Sequence, residues 1–204
     1  MKRVLHEGKF INLVSYDNWE YIERSNCTNV VVIFAVTKDN KMLLVEQYRI
    51  PVASNVIECP AGLVGDKGIE NIESGVRREL LEETGYACQK IKILFKGPSS
   101  AGSSSEIITF VQAMDIEKVS DNIGDGDENI IVHEVPLDNV EDWLEQKEKE
   151  GKMISPRIYI GLHFLREIKY YGFEVSKGTK DKFKIYTSSP IVKQEIEKLR
   201  YWRK

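Results

Sequence analysis

Gly62-Leu63-Val64-Gly65-Asp66-Lys67-Gly68-Ile69-Glu70, then seven residues, then Arg78-Glu79-Leu80-Leu81-Glu82-Glu83-Thr84-Gly85-Tyr86, is the stretch that decides how this chain is read. A glycine loop leads into a segment with helical spacing over residues 72–84. Glu79, Glu82 and Glu83 stand at i, i+3 and i+4, so they share one helix face. Ile72 and Val76 lie in or beside the same arc, which turns the acidic face toward a packed surface. Like charges at this spacing destabilise a helix, and a half-buried carboxylate needs a partner. One reading is a solvated acidic face. The other is a site for a hard divalent cation, because Mg²⁺ takes oxygen ligands and prefers positions shared with phosphate. Arg78 favours the second, since a guanidinium holds carboxylates by paired hydrogen bonds. Gly85 follows the last helical turn, where a left-handed residue ends a helix. Pro60-Ala61-Gly62 makes a sharp entry that exposes backbone carbonyls.

Outward from this stretch, 204 residues suit one domain with extensions, and 42% apolar residues suffice for an ordinary core. A formal net charge of −3 argues against nucleic acid as a partner. Cys27, Cys59 and Cys88 lack metal-ligand spacing and favour a reducing cytoplasm. No window approaches the roughly 18 apolar residues of a membrane span, and no apolar run follows Met1-Lys2-Arg3-Val4, so neither a membrane anchor nor a signal peptide is expected.

Residues 3–24 read as short strands turning at Tyr16-Asp17-Asn18. A β-branched run over 29–37 reads as a buried strand, followed by a turn at 38–41 and a returning strand over 42–48. Further strands are expected over 90–95, 107–114 and 130–135, and further helices over 140–151 and 157–170. The expected class is α+β. The closing segment 171–204 carries nine Lys and Arg against four Asp and Glu. It reads as a solvated cap on the domain, with an anion-binding patch as the alternative.

The stretch 62–86 resembles the Nudix box, G-x5-E-x7-R-E-U-x-E-E-x-G-U, where U is a bulky apolar residue. Every fixed position from Glu70 to Tyr86 matches. Seven residues separate Gly62 from Glu70 instead of five, a two-residue insertion within 64–69 that leaves the helix intact. The resemblance implies a Nudix fold, with a mixed sheet between helices and N-terminal strands in front. It divides the chain into 1–28, a dimerisation element, 29–170, the hydrolase domain, and 171–204, a basic extension. The flanks Val45-Glu46-Gln47-Tyr48-Arg49-Ile50-Pro51 and Glu58-Cys59-Pro60-Ala61-Gly62 resemble the ADP-ribose and ADP-sugar pyrophosphatase branch.

That branch implies roles by position. Trp19 stacks on the base across a homodimer interface. Arg24 and Arg49 bind the diphosphate or the adjoining sugar, and Glu106 belongs to the substrate-binding loop. The Ala61 carbonyl, Glu79, Glu82 and Glu83 hold Mg²⁺, with Mn²⁺ as a substitute. Arg78 and Glu82 support the chemistry, and Glu128 is the general base on an acidic loop, 121–128. Each has a plainer counterpart: Trp19 an ordinary sheet aromatic, Arg49 a structural partner of Glu58, Glu128 one more acidic loop residue. His133 reads as a packing residue. The branch usually carries Ser-Pro-Gly after the box, and here Ala101 replaces the proline. The expected reaction is Mg²⁺-dependent hydrolysis of ADP-ribose to AMP and ribose 5-phosphate. The alternatives are another nucleoside diphosphate sugar, such as GDP-mannose or UDP-glucose, or a sensor that binds ADP-ribose without cutting it.

Overall fold

The structure is a computed structural model and describes residues 1–121, 123–124 and 129–166. The part of the expected last helix beyond residue 166, the basic segment 171–204 and Glu128 therefore lie outside the described residues.

Three antiparallel strands open the chain: β1 (Lys2–Glu7), β2 (Ile11–Tyr16) and β3 (Trp19–Arg24). They turn where expected, with Asp17 in the left-handed region at φ 51°. Next come β4 (Asn29–Ala35) and β5 (Lys41–Arg49), joined by a turn in which Asn40 takes φ 58°. Two short strands, β6 (Ser54–Glu58) and β7 (Ala61–Val64), precede helix α1 (Ile72–Thr84). Strands β8 (Tyr86–Pro98), β9 (Ile107–Lys118) and β10 (Ile131–Pro136) follow. Helix α2 (Val140–Lys149), the two-residue β11 (Met153–Ile154) and helix α3 (Arg157–Leu165) complete the described fold.

The mixed sheet expected between helices takes the form of two four-stranded sheets, β10-β5-β6-β11 and β7-β4-β9-β8. Both are mixed, through the parallel pairs β6–β11 and β4–β9. Strand β4 explains the layering. Its apolar run is buried on both faces, as strands covered on both sides require. Val30, Val32 and Phe34 join a core with Leu44, Ile57, Leu144, Ile158 and Leu162, beneath α2 and α3. Val31, Ile33 and Ala35 join a second core with Val64, Val76, Leu80 and Val111, beneath α1.

The boundaries of α1 follow from its capping residues. The Asn71 side chain accepts from the Ser74 N–H at 2.8 Å, and Gly85 closes the helix at φ 75° with its N–H on the Leu81 carbonyl. Gly75 decides how near the helix comes to the sheet. A Cβ there would stand 2.7 Å from a Val64 methyl carbon, so glycine lets α1 lie close on β7. That approach brings Glu79 and Glu83 against Ala61 and Gly62.

Candidate active site

A cleft of about 450 Å³ opens where α1 meets β7, within the range typical of small-ligand sites. Its walls include Arg24, Gln47, Arg49, Glu58, Ala61, Gly62, Glu79, Glu82, Glu83 and Glu106. The structure thus brings together most of the residues singled out from sequence. Trp19 does not line the cleft of its own chain. The residue is 60% exposed on the N-terminal sheet, and its Nε1 donates to the Gly102 carbonyl at 3.1 Å.

Arg78 organises the carboxylates. Its Nη1 donates to Glu79 at 2.7 Å and Glu82 at 3.0 Å, and its Nη2 donates to Glu70 and the Leu63 carbonyl, both at 2.7 Å. Hydrogen bonding to Glu70 is the largest influence raising its guanidinium above the ordinary arginine value, and the same contact lowers the Glu70 carboxyl below its usual range. One side chain therefore ties the loop 63–70 to the acidic face of α1.

Glu83 is buried and held by neutral donors. The Ala61 N–H reaches Oε2 at 2.8 Å and the Gln47 amide reaches Oε1 at 3.1 Å. Burial pushes its carboxyl up to about 8, against the pull of those two donors. Burial likewise pushes Glu79 up to about 7, with Arg78 acting in the opposite direction. Gly62 makes room for Glu79, since a Cβ there would overlap its carboxyl group.

Among the described residues, no three His, Cys, Asp or Glu side chains converge into a cation cage. Glu79 and Glu82 are drawn to Arg78, and Lys67 also reaches Glu82, at 3.2 Å. The donors nevertheless fit a hard divalent cation. They are carboxylate oxygens, and two of the three carboxylates are desolvated groups whose charged form lacks full compensation.

The two expected diphosphate-binding arginines are paired in the free protein. Arg49 Nε stands 2.6 Å from Glu58, the structural pairing weighed from sequence, and Arg24 pairs with Glu106. Both remain on the cleft wall, so an incoming phosphate competes with a carboxylate for each. His133 packs as expected, with its Nε2 3.0 Å from Glu46 and its ring 4.9 Å from that of Trp143. Glu46 also takes Lys152 and lies on the face of β5 opposite Gln47.

Sequence reasoning assigned no role to Gln47, Lys67, Glu70 or Arg157. Glu70 was visible as a fixed position of the box, and Lys67 as part of the insertion. For Gln47 the only signal is strand alternation, which sets it opposite in face to Glu46. Arg157 has no local signal and reaches the cleft through topology alone.

Residues 27–156 match the family model of the NUDIX domain. Over 154 residues the chain is 34% identical to the ADP-ribose pyrophosphatase of Bacillus subtilis, covering 72% of this chain and 82% of that protein. It is 36% identical over 137 residues to a methanol dehydrogenase activator of Bacillus methanolicus, covering 67% and 71%. It is 30% identical over 154 residues to the GDP-mannose pyrophosphatase of Yersinia pestis, covering 71% and 75%. The crystal structure of an ADP compounds hydrolase superposes with a TM-score of 0.61 at 21% identity, over 82% of this chain and 90% of that one, a likeness of fold. The chain belongs to the Nudix family.

Proposed function

We propose that this protein hydrolyses the diphosphate bond of ADP-ribose, or of related ADP-sugars, to AMP and a sugar phosphate. The observation that carries this reading is the meeting in one cleft of Glu79, Glu82 and Glu83 with the guanidinium groups of Arg24 and Arg49. Glu79, Glu82, Glu83 and the Ala61 carbonyl hold Mg²⁺, with Mn²⁺ as a substitute. When bound, the metal neutralises the diphosphate and acidifies a water. Arg78 keeps Glu79 and Glu82 in line, Arg24 and Arg49 grip the diphosphate, and Glu106 accompanies Arg24 on the substrate side.

Glu128 takes the proton of the attacking water. The chain on either side of it supports this role. The Gly124 N–H donates to the Glu82 carbonyl at 2.8 Å, and Ile131 pairs with Glu46 on β5, next to Gln47. Glu128 stands three residues before Ile131 in the sequence.

The acting unit is a homodimer in which residues 1–28 form the contact, 29–170 the catalytic domain and 171–204 a basic extension. Val4, Leu5, Ile11 and Leu13 on the N-terminal strands, and Phe10 in the connection between the first two, are exposed, an apolar surface that suits a partner. Across that contact Trp19 stacks on the base held by the other copy. Sedimentation at micromolar concentration should give twice the 23.4 kDa chain mass. A fully active monomer contradicts this assembly. The three thiols are free, which suits a reducing cytoplasm. No helix among the described residues is long and apolar enough to cross a membrane.

A second reading is hydrolysis of GDP-mannose or UDP-glucose, favoured by the likeness to a GDP-mannose pyrophosphatase. Stacking on Trp19 tolerates any base, and the arginines grip a group common to all these substrates. Discrimination then falls to the loop 97–106, where Ala101 replaces a stiffer proline. Retention of Glu79, Glu82 and Glu83 argues against a sensor without turnover. A panel of nucleoside diphosphate sugars with Mg²⁺ should give the highest kcat/KM for ADP-ribose, with modest preference over the others. If GDP-mannose or UDP-glucose is cut more than about tenfold better, an effect near the upper end of small-group discrimination, the second reading replaces the first.

A further inference from the structure

We propose that Arg157 binds a phosphate group of the substrate's diphosphate, an inference that rests on the function proposed above. Five cations line the cleft: Arg24, Arg49, Lys67, Arg78 and Arg157. The first four are each held by a carboxylate of the protein. The Arg157 side chain makes no hydrogen bond or ion pair with any described residue, although it is half-buried. A guanidinium removed from part of its hydration without a partner is a costly arrangement.

The position of Arg157 adds to that cost. It is the first residue of α3, where the aligned peptide dipoles already present partial positive charge and a cation is disfavoured. The helix start is fixed in place. The Ser155 N–H donates to the Ile57 carbonyl at 2.9 Å, and Gly161 lets α3 press against Phe34 and Met42. Arg157 lines the same cleft wall as Glu58, Ala61 and Gly62. A phosphate arriving there meets a fork of N–H donors that donates to two of its oxygens. It also relieves both unfavourable terms at once. Arg24 and Arg49 must first release carboxylates, whereas Arg157 has no ion pair to break.

The test is equilibrium binding to the metal-free full chain, comparing wild type with Arg157→Ala and Arg157→Lys. For ADP-ribose, Arg157→Ala should bind about 10–100-fold more weakly, the scale of a charged hydrogen-bond contact. Arg157→Lys should fall between, because an ammonium cannot bind bidentately. Adenosine, which has no phosphate, should bind all three proteins alike, and their melting temperatures should agree. Affinity for ADP-ribose within twofold of wild type in Arg157→Ala overturns the proposal. So does an equal loss of adenosine binding, which marks a general disturbance of the cleft. If metal-free wild type itself fails to bind ADP-ribose, the substrate is judged by product release with Mg²⁺, and inorganic diphosphate judges Arg157 separately. Weaker diphosphate binding by Arg157→Ala supports the assignment. Equal binding, or none by either protein, overturns it.

Discussion

Glu83→Gln should lower turnover by about 10²-fold or more, the scale of removing a group that stabilises charge at a reacting centre, while the metal-free protein folds at least as well as wild type. The amide keeps the shape of the side chain and still accepts from the Ala61 N–H. What it loses is the negative charge that the metal needs. The stability effect has a definite sign. The folded Glu83 carboxyl titrates near 8 against an ordinary 4.5, and Glu79 near 7. A raised acid favours the fold in its neutral form. That contribution is fully present below about pH 4.5 and is lost as pH rises through about 7 and then 8. Metal-free wild type should therefore melt at progressively lower temperature from pH 5 to 8.5, and Glu83→Gln should show a shallower decline. Adding Mg²⁺ at pH 8 should raise the melting temperature of wild type and leave the variant nearly unchanged, because only binding to the folded state stabilises it. Near-normal activity in the variant would remove Glu83 from the metal site.

Glu128→Gln is expected to lower kcat by about 10²–10⁴-fold, the usual worth of a general base, with KM little altered. The separation follows from geometry. Substrate affinity is assigned to Arg24, Arg49 and Trp19, and none of these depends on Glu128. Proton transfer is a transition-state event, so its loss should appear in kcat alone. The pH–rate profile should also lose its acidic limb. A kcat within about threefold of wild type assigns the base elsewhere, with Glu106 the next carboxylate on the cleft wall.

Helix α1 was legible in the sequence to the residue, because Gly85 is a strong end signal and Glu79, Glu82 and Glu83 fix its face; its Asn71 cap emerged only in the structure. Strand β4 was legible because an unbroken β-branched run has few other fates. Strands β6, β7 and β11 were missed. They are two to five residues long, too short for a period to show, and pairing with neighbours rather than propensity holds them extended. Strand β8 proved longer than 90–95, since its exposed Gln89, Lys90 and Lys92 hide the pattern. At the site, the box residues were readable because helical spacing is local. The partners that set their chemistry were not. Gln47 comes to Glu83 from another sheet, and Arg157 arrives with α3, more than 70 residues beyond the box. The pairing of Arg24 with Glu106 joins the N-terminal sheet to the loop after β8, a contact across 82 positions that no window of sequence displays.

Cleavage of the diphosphate bridge that joins AMP to ribose 5-phosphate in ADP-ribose is tested most directly by product analysis. Purified protein incubated with ADP-ribose should release AMP and ribose 5-phosphate in equal amounts when Mg²⁺ is present. Release should cease when the metal is chelated and should be nearly absent in Glu83→Gln. ADP-ribose left intact by the wild-type protein with Mg²⁺, or cleaved to ADP and free ribose, would contradict the account.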